Sequence, residues 1–276
     1  MIDRDKTTKI KRPLQLDLDH IYNMDCLEGM KQMEAESVDL TVTSPPYDNM
    51  RNYNGFSFDF EGIAKELYRV TKQGGVVVWI VGDATIDGSE TGTSFRQALY
   101  FKEIGFNLHD TMIWAKDGGG AIGSNLCYTQ NFEYMFVFSK GRPKTTNLIY
   151  DKPCQTYTGK AETVKECRGG GDKGDRGQTT LMRREFSRRN NWWYVVPNKQ
   201  DGSNLHPAVF PQSLVRDHIT TWSNEGDVVL DPFMGSGTTA KVARALNRHY
   251  IGFEISAEYC EIIRKRLEQT KTLFDL

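Results

Sequence analysis

The sequence predicts an α/β fold with a doubly wound, mostly parallel sheet of seven strands and an inserted region. Strand-like apolar stretches alternate with segments of helical periodicity over most of the 276 residues. Residues 76–81 are continuously apolar, as expected for a central strand with both faces buried. Residues 109–116 and 133–138 have no helix between them, which predicts that one strand runs antiparallel. Periodicity stops between Lys144 and Leu205, and a segment of that length is expected to be a functional insertion or disordered.

The elements follow from local patterns taken in order. Apolar alternation or short apolar runs predict strands at 20–25, 38–43, 76–81, 109–116, 133–138, 227–230 and 250–254. Spacings of three and four residues predict helices at 26–31, 61–71, 94–104, 212–222, 238–247 and 257–269. The pair Gly74-Gly75 is taken to end the second helix, and Ser256 to cap the last one.

Charge is distributed unevenly along the chain. The net charge is −1, yet residues 141–200 contain 13 Lys and Arg residues and 6 Asp and Glu residues. We therefore predict three segments: one half of the α/β domain at 18–140, a basic insertion at 141–205, and the other half at 206–276. Such a basic segment suits a polyanionic partner, the alternative being a solvated basic surface.

Composition excludes several protein classes. There is no run of about 18 apolar residues, and the polar N-terminus does not resemble a secretory signal, so we expect a cytoplasmic protein without membrane association. The five cysteines are odd in number and form no Cys-x-x-Cys pair. This pattern argues against a disulfide framework and against a zinc site, and no metal is expected.

A stiff kink follows the second predicted strand at Ser44-Pro45-Pro46-Tyr47. The two prolines fix two φ angles and supply no backbone N–H, so the segment is rich in hydrogen-bond acceptors. The Ser44 hydroxyl and the Pro45 carbonyl can both accept from one amino group, and Tyr47 offers a flat face for stacking. The alternative is a surface turn with a packed tyrosine.

A glycine loop follows the sixth predicted strand and precedes a helix. It runs through Phe233-Met234-Gly235-Ser236-Gly237, where glycines let the backbone approach a ligand and the helix N-terminus favours an anionic group. This loop does not have the dinucleotide-binding pattern G-x-G-x-x-G, because Ala240 stands where the third glycine would be. Glu254 ends the next strand, where an acid can accept from two ribose hydroxyls. A purely structural turn is the alternative.

These two motifs resemble those of DNA methyltransferases that modify exocyclic amino nitrogens. The kink is similar to their catalytic motif, and the segment Asp231–Thr239 is similar to their S-adenosylmethionine loop. The kink precedes the basic segment and the glycine loop comes last, an order that resembles the permuted β group. The resemblance implies a Rossmann-like methyltransferase fold and S-adenosylmethionine as cofactor. It implies these site residues: catalytic Ser44, Pro45, Pro46 and Tyr47; cofactor-binding Asp25, Phe210, Pro211, Asp231, Phe233, Gly235, Ser236, Gly237, Thr238 and Glu254.

For Asp25, which the resemblance places at the adenine amine, the alternative role is that of a helix cap. The resemblance makes the insertion a target-recognition region for double-stranded DNA, with Arg183, Arg184, Arg188 and Arg189 as candidate contacts. A serine at the first motif position is more typical of cytosine-N4 enzymes, and adenine-N6 methylation is the alternative. Protein-glutamine methylation and non-catalytic DNA binding are weaker alternatives. A companion restriction endonuclease and a monomeric or homodimeric state are also expected.

Overall fold

The structure is a computed structural model that describes residues 16–46, 58–116, 128–154, 185–196 and 210–268, and the backbone at 161–165 and 178–182. The chain divides into two compact units. The second unit is Leu148–Asn190, and the described residues on either side of it form the main unit. The second unit is shorter than the insertion expected at 141–205.

The helices begin and end within two residues of their predicted bounds. They are α1 (Cys26–Met30), α2 (Phe60–Val70), α3 (Thr93–Glu103), α4 (Gln212–Trp222), α5 (Thr238–Ala245) and α6 (Ala257–Glu268). The strands are β1 (His20–Asn23), β2 (Val38–Thr43), β3 (Thr71–Val81), β4 (Thr85–Ile86), β5 (Ser89–Glu90), β6 (Asn107–Ala115), β7 (Phe132–Ser139), β8 (Lys152–Pro153), β9 (Ala161–Lys165), β10 (Gln178–Met182), β11 (Phe186–Ser187), β12 (Trp192–Tyr194), β13 (Val228–Asp231) and β14 (His249–Glu254).

The described residues of the main unit form one large sheet, in the order β1-β14-β13-β2-β3-β7-β6-β12. Strand β7 runs antiparallel to β3 and β6, and the other neighbouring pairs are parallel. The predicted α/β class with one antiparallel strand is thus confirmed. Because β2 and β13 are parallel neighbours, the segments that follow them leave the sheet at the same edge.

Two details differ from the sequence prediction. The sheet has an eighth strand, β12, inside the segment assigned to the insertion. Trp193 of β12 is buried, and its ring centroid lies 4.6 Å from that of His218 in α4. The burial of this indole stabilises the strand, which is only three residues long and therefore too short to show a periodic pattern in the sequence. Also, β3 begins at Thr71, and its pairing with β2 shifts register between Val38 and Leu40. Gly74, with φ +80°, lies within this irregularity and does not end α2.

The main core lies between the sheet and helices α2 and α3. Apolar residues spaced along α2, namely Ile63, Leu67 and Val70, are buried, and Asp59 caps this helix by accepting from the Gly62 amide at 3.0 Å. Trp79 of β3 packs edge-on against Phe101 of α3, with ring centroids 5.2 Å apart. Within the described residues, no helix is long and apolar enough to cross a membrane.

Candidate active site at the carboxyl edge of the sheet

The kink is the direct continuation of β2. Thr43 ends the strand, Pro45 is buried, and Ser44 and Pro46 are half-buried. The two pyrrolidine rings place acceptor groups without backbone donors at the carboxyl end of a central strand. This is the position in which open α/β sheets bind ligands. Tyr47, the predicted stacking residue, lies outside the described residues.

The glycine loop follows the neighbouring strand β13 and leads into α5. Gly235 and Gly237 have φ values of +53° and +81°, in the left-handed region that favours glycine. A Cβ on Gly237 would lie 2.7 Å from Cγ2 of Ile263, so the loop has no room for a side chain there. The Gly237 amide donates to the Met234 carbonyl at 2.8 Å, which closes the loop on itself. The loop is thus compact.

Phe233 anchors the start of the glycine loop to the core. Its ring lies edge-on to Phe58 at 5.7 Å and to Trp79 at 6.3 Å between centroids. Ser236 and Thr238 are buried, and their hydroxyl oxygens are 3.5 Å apart. The predicted loop residues therefore lie together at the amino end of α5.

Asp231 ends β13 with a buried carboxylate that connects both motifs. Its Oδ1 accepts from the Thr43 hydroxyl at 2.6 Å and from the Phe233 amide at 3.0 Å. Burial raises the pKa of this carboxyl, and its hydrogen bonds with Thr43 and Thr239 act in the opposite direction. Sequence reasoning placed Asp231 with the cofactor loop, but it assigned no role to Thr43, because a threonine in a strand carries no local signal of a partner 188 residues away.

Glu254 ends β14 and touches the glycine loop. Its Oε2 accepts from the Gly235 amide at 2.8 Å and its Oε1 from the Ser256 amide at 2.9 Å. Burial raises the pKa of the Glu254 carboxyl above its ordinary value of 4.5. A carboxylate has about four lone-pair sites, so acceptor capacity remains for ribose hydroxyls.

Asp25 follows β1, which pairs with β14 so that Asn23 lies opposite Glu254. The Asp25 Oδ1 accepts from the Leu27 amide at 2.9 Å and the Glu28 amide at 3.1 Å, which makes it the N-cap of α1. The helix-cap role is therefore present, and contact with an adenine amine stays a prediction. The Asn23 side chain, to which sequence reasoning gave no role, donates to the Glu254 carbonyl at 2.9 Å.

Phe210 and Pro211 lie at the start of α4. Pro211 is the buried N-cap residue, and Phe210 lies edge-on to Trp114 of β6 with ring centroids 6.5 Å apart. This contact places Phe210 beside β6. Its predicted role on the methionine side of the cofactor stays a prediction.

The predicted DNA-binding arginines fall in the second unit. Arg188 is exposed, whereas Arg189 is half-buried and donates to Asp151, with Nε 2.8 Å from Oδ2. This hydrogen bond lowers the pKa of Asp151. Arg183 and Arg184 lie outside the described residues.

The arrangement suits a ligand with an anionic group and a ribose. The left-handed glycines keep side chains out of the loop, α5 points its amino end at it, and the Glu254 carboxylate lies against it. One strand away, the kink offers acceptors for an amino group. Because β2 and β13 are neighbouring strands, ligands bound at these two places would lie side by side.

The family model described as "DNA methylase" matches residues 38–265. The chain belongs to this DNA methylase family. M.BamHII of Bacillus amyloliquefaciens, named an orphan methyltransferase, is 58% identical over 238 residues, which is 84% of this chain and 89% of that protein. The chain is accordingly an S-adenosylmethionine-dependent DNA amino-methyltransferase of the N4/N6 family.

Solved structures of DNA methyltransferases have the same fold as this chain. The PvuII DNA methyltransferase, titled cytosine-N4-specific, matches with a TM-score of 0.66 at 21% identity, covering 89% of this chain and 85% of that chain. The M1.HpyAVI–SAM complex matches with a TM-score of 0.61 at 23% identity, covering 90% of this chain and 98% of that one. At these identities, the likeness concerns the fold.

Proposed function

We propose that the protein methylates the exocyclic N4 amine of cytosine in double-stranded DNA. The observation that supports this most is the position of the kink, one strand away from the glycine loop and joined to it through Asp231. Bound S-adenosylmethionine supplies an electrophilic methyl group. The chain's part is to bind the donor at the glycine loop and to hold the amine at the kink.

The kink activates the amine by hydrogen bonding. The Ser44 hydroxyl and the Pro45 carbonyl accept from the two N–H groups, which raises electron density on the nitrogen and orients its lone pair toward the donor. An amine in a base pair is inaccessible to this pocket, so the target nucleotide is flipped out of the duplex, and Tyr47 stacks on it. Positioning and electrostatics supply most of the rate.

Direct transfer, without a covalent enzyme intermediate, fits the cysteines that the structure describes in the main unit. Cys26 and Cys260 are both buried. Burial raises the pKa of the Cys26 thiol to about 12 and also raises the pKa of the Cys260 thiol. Neither thiol is ionised near neutral pH, so neither supplies a thiolate nucleophile.

Cytosine is favoured over adenine by Ser44, since serine is more typical of cytosine-N4 enzymes at the first position of this motif. The test is to methylate DNA with the purified protein, digest it to nucleosides and identify the modified base by mass. N4-methylcytosine is the expected product. N6-methyladenine would overturn the choice of base and leave the amino-methyltransferase activity in place.

DNA recognition is assigned to the basic insertion, with Arg183, Arg184, Arg188 and Arg189 at phosphates and guanines. The predicted cytoplasmic location and the monomeric or homodimeric state are part of this proposal. A companion restriction endonuclease is also part of this proposal. It is tested by asking whether extracts of the cells that make this protein cleave unmethylated DNA and leave methylated DNA intact.

A further inference from the structure

The carboxyl ends of β2 and β13 are joined by a side-chain hydrogen bond. The backbone pairing of these strands includes Val229 with Leu40 and Leu230 with Thr41. Beyond it, one strand leads into the kink and the other into the glycine loop. Here the Thr43 hydroxyl donates to Asp231 Oδ1 at 2.6 Å, and both residues are buried. The bond thus connects the last residues of the two strands.

The same carboxylate holds the glycine loop. Asp231 Oδ1 also accepts from the amide of Phe233, the loop's first residue, at 3.0 Å. Thr239, in the first turn of α5, brings its hydroxyl to 3.4 Å from the Val42 carbonyl of β2. Strand end, loop and helix therefore meet at one buried corner.

The hydrogen bond of the Thr43 hydroxyl can be compared with a neighbouring threonine, Thr41, whose hydroxyl lacks such a bond. Thr41 lies two residues earlier on β2 and is also fully buried, yet its hydroxyl has no hydrogen-bond partner among the described residues. At position 41 a valine would fill the same space without losing a contact. At position 43 it would remove a short hydrogen bond to a buried carboxylate.

We propose that Thr43 is a positioning residue for methyl transfer, holding the carboxyl end of β2, and with it Ser44 and Pro45, at a fixed distance from the cofactor loop through Asp231. The proposal rests on the proposed assignment of Ser44 and Pro45 as the amine acceptors. Transfer requires the reacting atoms to approach within about 3–3.5 Å in line, and a misplacement of about 1 Å costs roughly 10²-fold in rate. The hydrogen bond between Thr43 and Asp231 connects the kink to the glycine loop, and it controls that distance without touching the substrate.

The experiment compares Thr43→Val with its matched control Thr41→Val. Single-turnover methylation of a saturating oligonucleotide gives the transfer rate, and calorimetry gives the affinity for S-adenosylmethionine. We expect Thr43→Val to slow transfer by about 10–100-fold while cofactor affinity changes by less than about threefold. Thr41→Val should transfer at the wild-type rate, and Thr43→Ser, which keeps the hydroxyl, should restore most of the rate.

Two results would overturn the proposal. One is a Thr43→Val rate equal to that of Thr41→Val. The other is a fall in cofactor affinity by the same factor as the rate, since the bond would then serve only the folding of the loop. Thermal unfolding is measured for each variant, and Thr43→Ala replaces Thr43→Val if the valine variant does not fold.

Ser44→Ala, measured in parallel, separates this proposal from the proposed function. A slow Ser44→Ala with a normal Thr43→Val keeps the proposed function and overturns the positioning role. A normal Ser44→Ala with a slow Thr43→Val removes Ser44 from the amine site and supports the positioning role through Pro45 alone.

Discussion

The two units differ in how they use their charged groups. In the main unit, the carboxylates of Asp231, which is buried, and Glu254, which is half-buried, lie at the carboxyl edge of the sheet and accept from backbone amides at fixed positions. In the second unit, Arg188 is exposed, and the ion pair of Arg189 with Asp151 leaves both side chains partly open to solvent.

Buried and paired groups fix geometry, since moving them exposes an unsatisfied partner in a medium of low dielectric. Exposed arginines attract DNA phosphates through electrostatic interactions that salt screens, and their contributions to DNA affinity add independently. We therefore expect substitutions at the edge of the main unit to give large effects on binding or rate, and substitutions in the second unit to give graded effects on DNA affinity that depend on salt. The five predictions below test this difference.

The largest effect is expected from Gly235→Asp. Gly235 has φ +53°, which aspartate and asparagine adopt more readily than other residues, so the variant should fold. Its carboxylate would lie beside Glu254, which accepts from the Gly235 amide, and in the place of the ligand's anionic group. Calorimetry should detect no S-adenosylmethionine binding. Gly235→Asn is the neutral control and should keep more affinity, and an unchanged affinity in a folded Gly235→Asp would remove the loop from the cofactor site.

Ser44→Ala should slow single-turnover methylation by about 10²–10³-fold, the cost of losing one preorganised polar contact. Cofactor affinity should hardly change, because Ser44 belongs to the kink. Ser37→Ala is the matched control: Ser37 precedes β2 at the opposite edge of the sheet, where its hydroxyl donates to the Glu34 carbonyl at 2.8 Å. Equal rates for the two variants would contradict the assignment of the kink.

Gly237→Ala should destabilise the fold more than Gly226→Ala. Both glycines have φ +81°, so alanine at either position costs about 1–2 kcal/mol of backbone strain. At Gly226 nothing lies within 4 Å of the added Cβ, whereas at Gly237 it meets Ile263 at 2.7 Å, which adds roughly 1–3 kcal/mol of overpacking. Urea unfolding measures both free energies. Equal losses would mean that α6 yields without cost and that the loop is not tightly packed.

Glu254→Gln should weaken S-adenosylmethionine binding about tenfold, since one amide is left facing an NH₂ group where a charged acceptor stood. Because burial raises the pKa of Glu254, its carboxylate is lost as pH falls through a range above the ordinary 4.5. Wild-type affinity should weaken over that range.

The raised pKa also means that the native state binds this proton more tightly than the unfolded chain, so this group's contribution to stability falls as pH rises from about 4.5 through the raised pKa.

The Glu254→Gln variant is the control for the pH dependence of cofactor affinity, because its side chain at position 254 does not titrate. Calorimetric titrations at several pH values should show a smaller acid-side loss of affinity in Glu254→Gln, the remainder belonging to Asp231, whose pKa burial also raises. An identical pH dependence in both proteins would exclude Glu254 as its source.

The smallest effect is expected in the second unit. Arg188→Gln should lower the slope of log affinity against log salt by about 0.9, the value for one lost phosphate contact, and leave cofactor affinity unchanged. Arg189→Gln should change the slope less, because Arg189 already pairs with Asp151. Removing Arg183, Arg184, Arg188 and Arg189 together should flatten the slope most. Equal slopes in wild type and the fourfold variant would make this cluster a solvated surface.

The sequence by itself determined the six helices and seven of the eight strands in the large sheet. The six helices lie within two residues of their predicted bounds, because capping and apolar spacing act over a few neighbouring residues. The two motifs could be placed at strand ends for the same reason, since proline restricts the backbone locally and glycine permits turns that other residues disfavour. The kinship of Ser44-Pro45-Pro46-Tyr47 with amino-methyltransferases was visible in the same way, and the family match confirms the class.

Only the tertiary structure decided which elements lie side by side. Strand order depends on burial and on pairing between segments far apart in sequence, and no local pattern specifies it. The placement of β13 beside β2 brings Thr43 to Asp231, 188 positions away, and the pairing of β12 with β6 depends on the burial of Trp193 against α4. Glu254 was visible as a strand-end acid. That its carboxylate accepts from the Gly235 amide depended on β14 lying next to β13.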